Sequence, residues 1–98
     1  MDVQLGGCSD VAPATDDIQK ICDTVKSQVE GKTNRTYEEF KAVTFRKQTV
    51  YGYHYFIKVH VGGSDYLHLF VYESPDRTFQ LKGAVQRKDE DPLLSNSE

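Results

Sequence analysis

Two cysteines and three histidines are the side chains of this 98-residue chain best suited to do chemistry. Thiol catalysis needs a cysteine activated by a base or a helix N-terminus. Neither thiol has that support in sequence. Cys22 falls in an apolar stripe and reads as core, while Cys8 lies in a glycine-bearing start that cannot hold a base such as His54 at reacting distance. His60 and His68 are expected to face each other across two strands, but two imidazoles fall short of the three or four ligands of a stable metal site, so they read as a solvated pair. The phosphate-binding glycine motifs and the H-E-x-x-H pattern are absent. The expectation is therefore no catalytic residue, no metal and no cofactor, and a chemistry of recognition in their place.

Recognition points to Gln48-Thr49-Val50-Tyr51-Gly52, an uncharged loop that ends in glycine between two stretches of alternating apolar residues. Before it, Lys41, Val43 and Phe45 alternate with Ala42 and Thr44. After it, Tyr55, Ile57, Val59 and Val61 alternate with Phe56, Lys58 and His60. A period of two marks half-buried strands, which makes the loop a hairpin tip. Val50 and Tyr51 are expected to stand exposed there, and apolar side chains on a rigid turn suit a binding surface.

The elements that must position this tip follow from the same patterns. Ile18, Ile21, Cys22, Val25 and Val29 form one helical stripe, Thr15 or Asp16 can cap its start, and Gly31 is placed as its stop. Asp16 and Asp17 lie in the first turn, where negative charge complements the helix dipole. Strands are predicted at about 38–47, 53–61, 66–72 and 78–86. Residues 1–12 read as a flexible start, and 89–98 as a loose acidic tail with Asp91-Pro92. One helix followed by successive hairpins gives a single α+β domain over residues 1–98, with a wrapped antiparallel sheet across the helix. In the middle hairpin, Val59, Val61, Leu67, Leu69 and Val71 share odd parity and hence the buried face. The simplest register sets Val61 opposite Leu67 and His60 opposite His68, with a turn near Gly63-Ser64-Asp65.

Composition narrows the partners. A net charge of −3 and no basic run argue against nucleic acid, which requires clustered Lys and Arg. No stretch of about 18 apolar residues and no signal-like start is present, so neither a membrane partner nor secretion is expected. Two cysteines in such a chain are expected to stay reduced, and the Asn34-Arg35-Thr36 sequon has no consequence without a secretory route.

At Gln48, Val50 and Gly52 the chain resembles the Gln-x-Val-x-Gly signature of the cystatins, and its other landmarks are similar to those of the stefins, the intracellular cystatins A and B. Gly6-Gly7, Pro13-Ala14-Thr15, Lys32-Thr33-Asn34, Lys41-Ala42-Val43 and Tyr55-Phe56-Ile57-Lys58-Val59 stand in stefin order over almost the whole chain. The resemblance implies the cystatin fold. It also implies a cytoplasmic, reversible, competitive, tight-binding inhibitor of papain-like cysteine proteases, such as cathepsins of the B, H or L type. A three-part wedge would fill the protease cleft: Leu5, Gly6 and Gly7 at the start, Gln48, Thr49, Val50, Tyr51 and Gly52 at the first tip, and Ser74 and Pro75 in the second turn.

This chain departs from the stefin pattern in three places. Val71-Tyr72-Glu73-Ser74-Pro75 keeps the second-turn proline and lacks the leucine before it, Thr49 and Tyr51 replace smaller apolar residues, and Ala84 stands where many stefins carry an aromatic. These departures motivate an alternative in which the fold serves interaction or assembly, as a domain-swapped dimer with weakened inhibition. A monomer is the expected form, and Cys8 could add mixed disulfides to it.

Overall fold

The structure is a computed structural model that describes residues 8–88 and 92–93. Its elements are β1 (Ala12–Pro13), α1 (Asp16–Thr33), β2 (Lys41–Val50), β3 (Gly52–His60), β4 (Asp65–Glu73) and β5 (Phe79–Lys88). The five strands form one antiparallel sheet in the order β1-β2-β3-β4-β5. Helix α1 begins at Thr15, whose Oγ1 accepts from the Ile18 amide at 3.3 Å. It runs through Gly31 and ends at Asn34 in the left-handed region, φ 59°. The stop expected at Gly31 is therefore three residues early. An asparagine side chain tolerates that conformation, so no glycine is needed there.

The apolar stripe of α1 meets the inner face of the sheet: Ile18, Ile21, Cys22, Val25 and Val29 pack with Tyr55, Ile57, Val59, Leu67, Leu69 and Val71. Burial pushes the Cys22 thiol up to about 12, in keeping with a core residue rather than a nucleophile. Two glutamines tie the helix to backbone that the ladder leaves unpaired. Gln19 donates to the Phe40 carbonyl at 3.0 Å and accepts from the Ala42 amide at 2.8 Å. Gln28 does the same on β5, donating to the Phe79 carbonyl at 3.4 Å and accepting from the Leu81 amide at 2.9 Å. The helix thereby satisfies part of the β5 edge, where another chain could otherwise pair.

The sheet departs from the simplest expected arrangement in β2 and in the middle hairpin. A bulge between Ala42 and Thr44 sends Ala42 inward and leaves Val43 exposed, with the Val43 carbonyl accepting from the Ala14 amide at 2.9 Å. The β3–β4 register also differs from the expected one: Val59 lies opposite Leu67, His60 opposite Tyr66 and Lys58 opposite His68. Gly62 and Gly63 both take positive φ, 118° and 56°, and close a turn tighter by two residues. A two-residue slip preserves parity, so the core face is the expected one while the His60–His68 pair is lost. His60 instead pairs with Glu39 and packs on Tyr66, ring centroids 4.8 Å apart. Among the described residues no group of three metal-ligating side chains occurs.

The outer face carries a second, smaller apolar layer. Phe56 is buried there and stacks on Phe70 at 4.9 Å, and Leu93 from the tail is buried beside them, lining the same cleft. The Leu93 carbonyl accepts from Arg46 Nη1 at 3.1 Å. This part of the tail is docked on the sheet, through an apolar residue that has no periodic neighbours to betray it.

Candidate functional site

The first hairpin tip is a tight reversal. Pairing runs up to Val50 opposite Gly52, leaving Tyr51 alone at the apex with 83% of its surface exposed. Val50, expected to stand exposed, is half-buried, so the apex aromatic is the apolar group the tip offers to solvent. Gly52 adopts φ +103°, and a Cβ there would lie 2.3 Å from the Glu73 carbonyl oxygen. The site therefore requires glycine twice, for its dihedral and for the close approach of β4 backbone. Tyr72 adds a third restraint, donating its hydroxyl hydrogen to the Tyr51 carbonyl.

Below the tip, Gln48 is a buried polar residue on the outer face. Its Oε1 lies 2.9 Å from Nδ1 of His54, directly opposite on β3. The His54 ring packs edge-on against Phe70 at 4.8 Å, Tyr72 at 5.5 Å and Phe56 at 6.4 Å. Burial, and then the Lys82 ammonium, hold its pKa below the ordinary histidine value, which favours the neutral ring. Because a glutamine Oε1 only accepts, the proton of that neutral ring sits on Nδ1.

The second turn lies alongside, since Tyr53 pairs with Glu73. Ser74-Pro75-Asp76-Arg77 closes with Arg77 N donating to the Ser74 carbonyl at 2.8 Å, and Arg77 takes φ 68°. Asp76 accepts from the Ser74 hydroxyl, from the Thr78 hydroxyl at 2.8 Å and from the Thr78 amide at 3.2 Å. The Ser74 and Thr78 bonds hold its carboxyl below the usual carboxylate range. Ser74 is half-buried and Pro75 exposed.

The start segment approaches the same end of the sheet. Cys8 bridges to Gln48, Ser9 N donates to the Lys47 carbonyl at 2.8 Å, and Arg46 Nε donates to the Ser9 carbonyl at 2.9 Å. Residues 8–13 are thus laid along β2, and Cys8 stands next to the tip residue Gln48. Leu5, Gly6 and Gly7 lie outside the described residues. The described site residues Gln48, Thr49, Val50, Tyr51, Gly52, Ser74 and Pro75 stand on two adjacent hairpins at one end of the sheet.

The cystatin domain profile matches residues 6–87. The chain belongs to the cystatin family. It is 46% identical over 93 residues to Cystatin-A1 of Sus scrofa, spanning 92% of this chain and 90% of that protein. To Cystatin-A of Mus musculus it is 42% identical over 92 residues, 92% and 95% of the two chains. To Leukocyte cysteine proteinase inhibitor 1 of Sus scrofa it is 52% identical over 69 residues, 70% and 67% of the two chains.

Within this cystatin, the sequence reading missed two supports of the site. Glu73 is buried at 7% exposure, accepts from the Tyr55 hydroxyl at 3.0 Å and pairs with Arg77 Nε at 3.4 Å. Burial, and then the Glu73 bond, drive the Tyr55 phenol pKa upward. Glu73 continues the odd, inward-facing series Leu67, Leu69, Val71, and a carboxylate at such a position signals a buried partner. His54 is the other, and no sequence pattern marks it because its partner is set by pairing across the hairpin.

Proposed function

We propose that this cystatin is a reversible, competitive, tight-binding inhibitor of papain-like cysteine proteases, including cathepsins of the B, H or L type, and that it acts in the cytoplasm as a monomer. The observation that carries this reading is the braced tip: Gly52 against the Glu73 carbonyl, with Tyr72 holding the Tyr51 carbonyl. A narrow edge of rigid backbone suits a slot-shaped cleft and loses little conformational entropy on binding. The start, with Leu5, Gly6 and Gly7, fills one side of the cleft, the Gln48–Gly52 tip faces the catalytic centre, and Ser74 and Pro75 contact the other side. Protease–inhibitor contacts bury about 1,600 Å² in total, an area within reach of three such elements. Inhibition is by occlusion, with no inhibitor bond cleaved.

The test is titration of the purified monomer, isolated by size-exclusion chromatography, against papain acting on a small fluorogenic substrate. The expected result is competitive inhibition that is relieved on dilution. A folded monomer that leaves papain fully active would overturn the reading in favour of an assembly role.

A further inference from the structure

A rigid tip needs a rigid base, and the base of this hairpin is an amide. Gln48 is buried, so its side chain must find partners inside the protein or lose the solvation of its polar atoms. It is also the residue through which two parts of the site meet, since its backbone bridges to Cys8 while its strand continues into Val50 and Tyr51. A glutamine has three side-chain torsions, and leaving them free would add an ordering cost to any complex formed at the tip.

His54 fixes the oxygen end of that side chain. It lies opposite Gln48, its Nδ1 is 2.9 Å from Oε1, and three rings on two strands clamp the imidazole edge-on. We infer that His54 is a positioning residue for protease binding: its Nδ1–H bond to Gln48 Oε1, held by Phe56, Phe70 and Tyr72, presets Gln48 and with it the hairpin that meets the protease. The inference rests on the inhibitory reading above. The partner fixes the donor role, because an amide oxygen only accepts, while burial and then the Lys82 charge keep the ring neutral. One donor on a fixed ring is then aimed at one acceptor.

Two variants separate the bond from the packing. His54→Leu keeps apolar volume between the rings and removes the N–H, whereas His54→Asn sets an amide N–H near the place of Nδ1 and gives up most of the ring. Dissociation of each from papain is measured by dilution, with thermal melts to establish folding, and ¹⁵N relaxation of the Gln48 side-chain amide is recorded on the free protein. His54→Leu should dissociate several-fold faster than wild type, as expected for one lost hydrogen bond. His54→Asn should stay within about twofold of wild type. The Gln48 amide should be equally rigid in wild type and His54→Asn and measurably more mobile in His54→Leu. Equal dissociation rates in all three proteins, equal losses in both variants, or a Gln48 amide as rigid in His54→Leu as in wild type would each overturn the inference. If wild type itself leaves papain active, the inhibitory reading falls instead, and the relaxation data alone decide whether His54 positions Gln48.

Discussion

The two turns at the binding end of the sheet are held in opposite ways. The second, Ser74 to Thr78, is braced by its own side chains: Asp76 collects the Ser74 and Thr78 donors, and the chain closes within four residues. The first, at Tyr51, is braced from outside. Its Gly52 rests against the Glu73 carbonyl, its Tyr51 carbonyl takes the Tyr72 hydroxyl, and its root residue Gln48 is held by His54. A self-braced turn keeps its shape when its neighbours change, while a turn braced by the adjacent hairpin couples the two. The first tip should therefore respond to substitutions some 20 residues away in sequence, such as Tyr72, and the second should not.

The strongest way to break this contrast is at the closest contact. Gly52→Ala places a Cβ against the Glu73 carbonyl in a dihedral unfavourable to L-residues, and should weaken papain inhibition by roughly 100-fold, about 3 kcal/mol, if strain of that order is relieved by displacing the tip. An exposed helix substitution, Ser27→Ala, should leave inhibition unchanged. Equal inhibition constants for the two variants would refute the importance of the close approach.

A smaller effect is expected from Tyr72→Phe, which deletes the hydroxyl bond to the tip and keeps the ring beneath His54. A neutral hydrogen bond contributes about 1 kcal/mol, so inhibition should weaken several-fold, with the change in dissociation rather than association. Surface plasmon resonance with immobilised inactive papain resolves the two rates. An unchanged dissociation rate would mean that the tip holds its shape without β4.

The smallest effect belongs to the self-braced turn. Asp76 has a folded-state pKa below its ordinary 3.8, so its stabilising contribution is present above that value and fades as the pH falls through the lowered folded pKa. Asp76→Ala should flatten the acid limb of a stability-against-pH curve measured by denaturant melts, and should alter inhibition at neutral pH less than Tyr72→Phe does. A variant with the wild-type acid limb would show that the carboxylate bonds contribute nothing measurable to folding.

Much of this arrangement was legible in the order of residues. The stripe from Ile18 to Val29 marked the buried helix face, and odd parity in Val59, Leu67, Leu69 and Val71 marked the sheet face it meets. The glycine at the end of the tip, and the proline of the second turn, stand where turn chemistry would put them. Other features were not legible. The middle hairpin slipped two residues from its simplest register because Gly62 and Gly63 close a tighter turn, a choice that preserves parity and so leaves no trace in the alternation. Leu93 buried itself on the outer face from within a tail whose composition reads as solvated.

The division follows the range of the forces involved. Periodicity, caps and turn residues act over a few positions, and these settle which segments become helix or strand and which face turns inward. The Gly52–Glu73 approach, the Tyr72–Tyr51 bond and the His54–Gln48 pair join residues brought together by strand register. Register is a sum over a whole hairpin of turn closure, cross-strand packing and edge contacts, so it emerges when the sheet assembles around the helix. The family motif of the tip can be read from the chain, whereas the rigidity of that tip comes from its neighbours in the folded sheet.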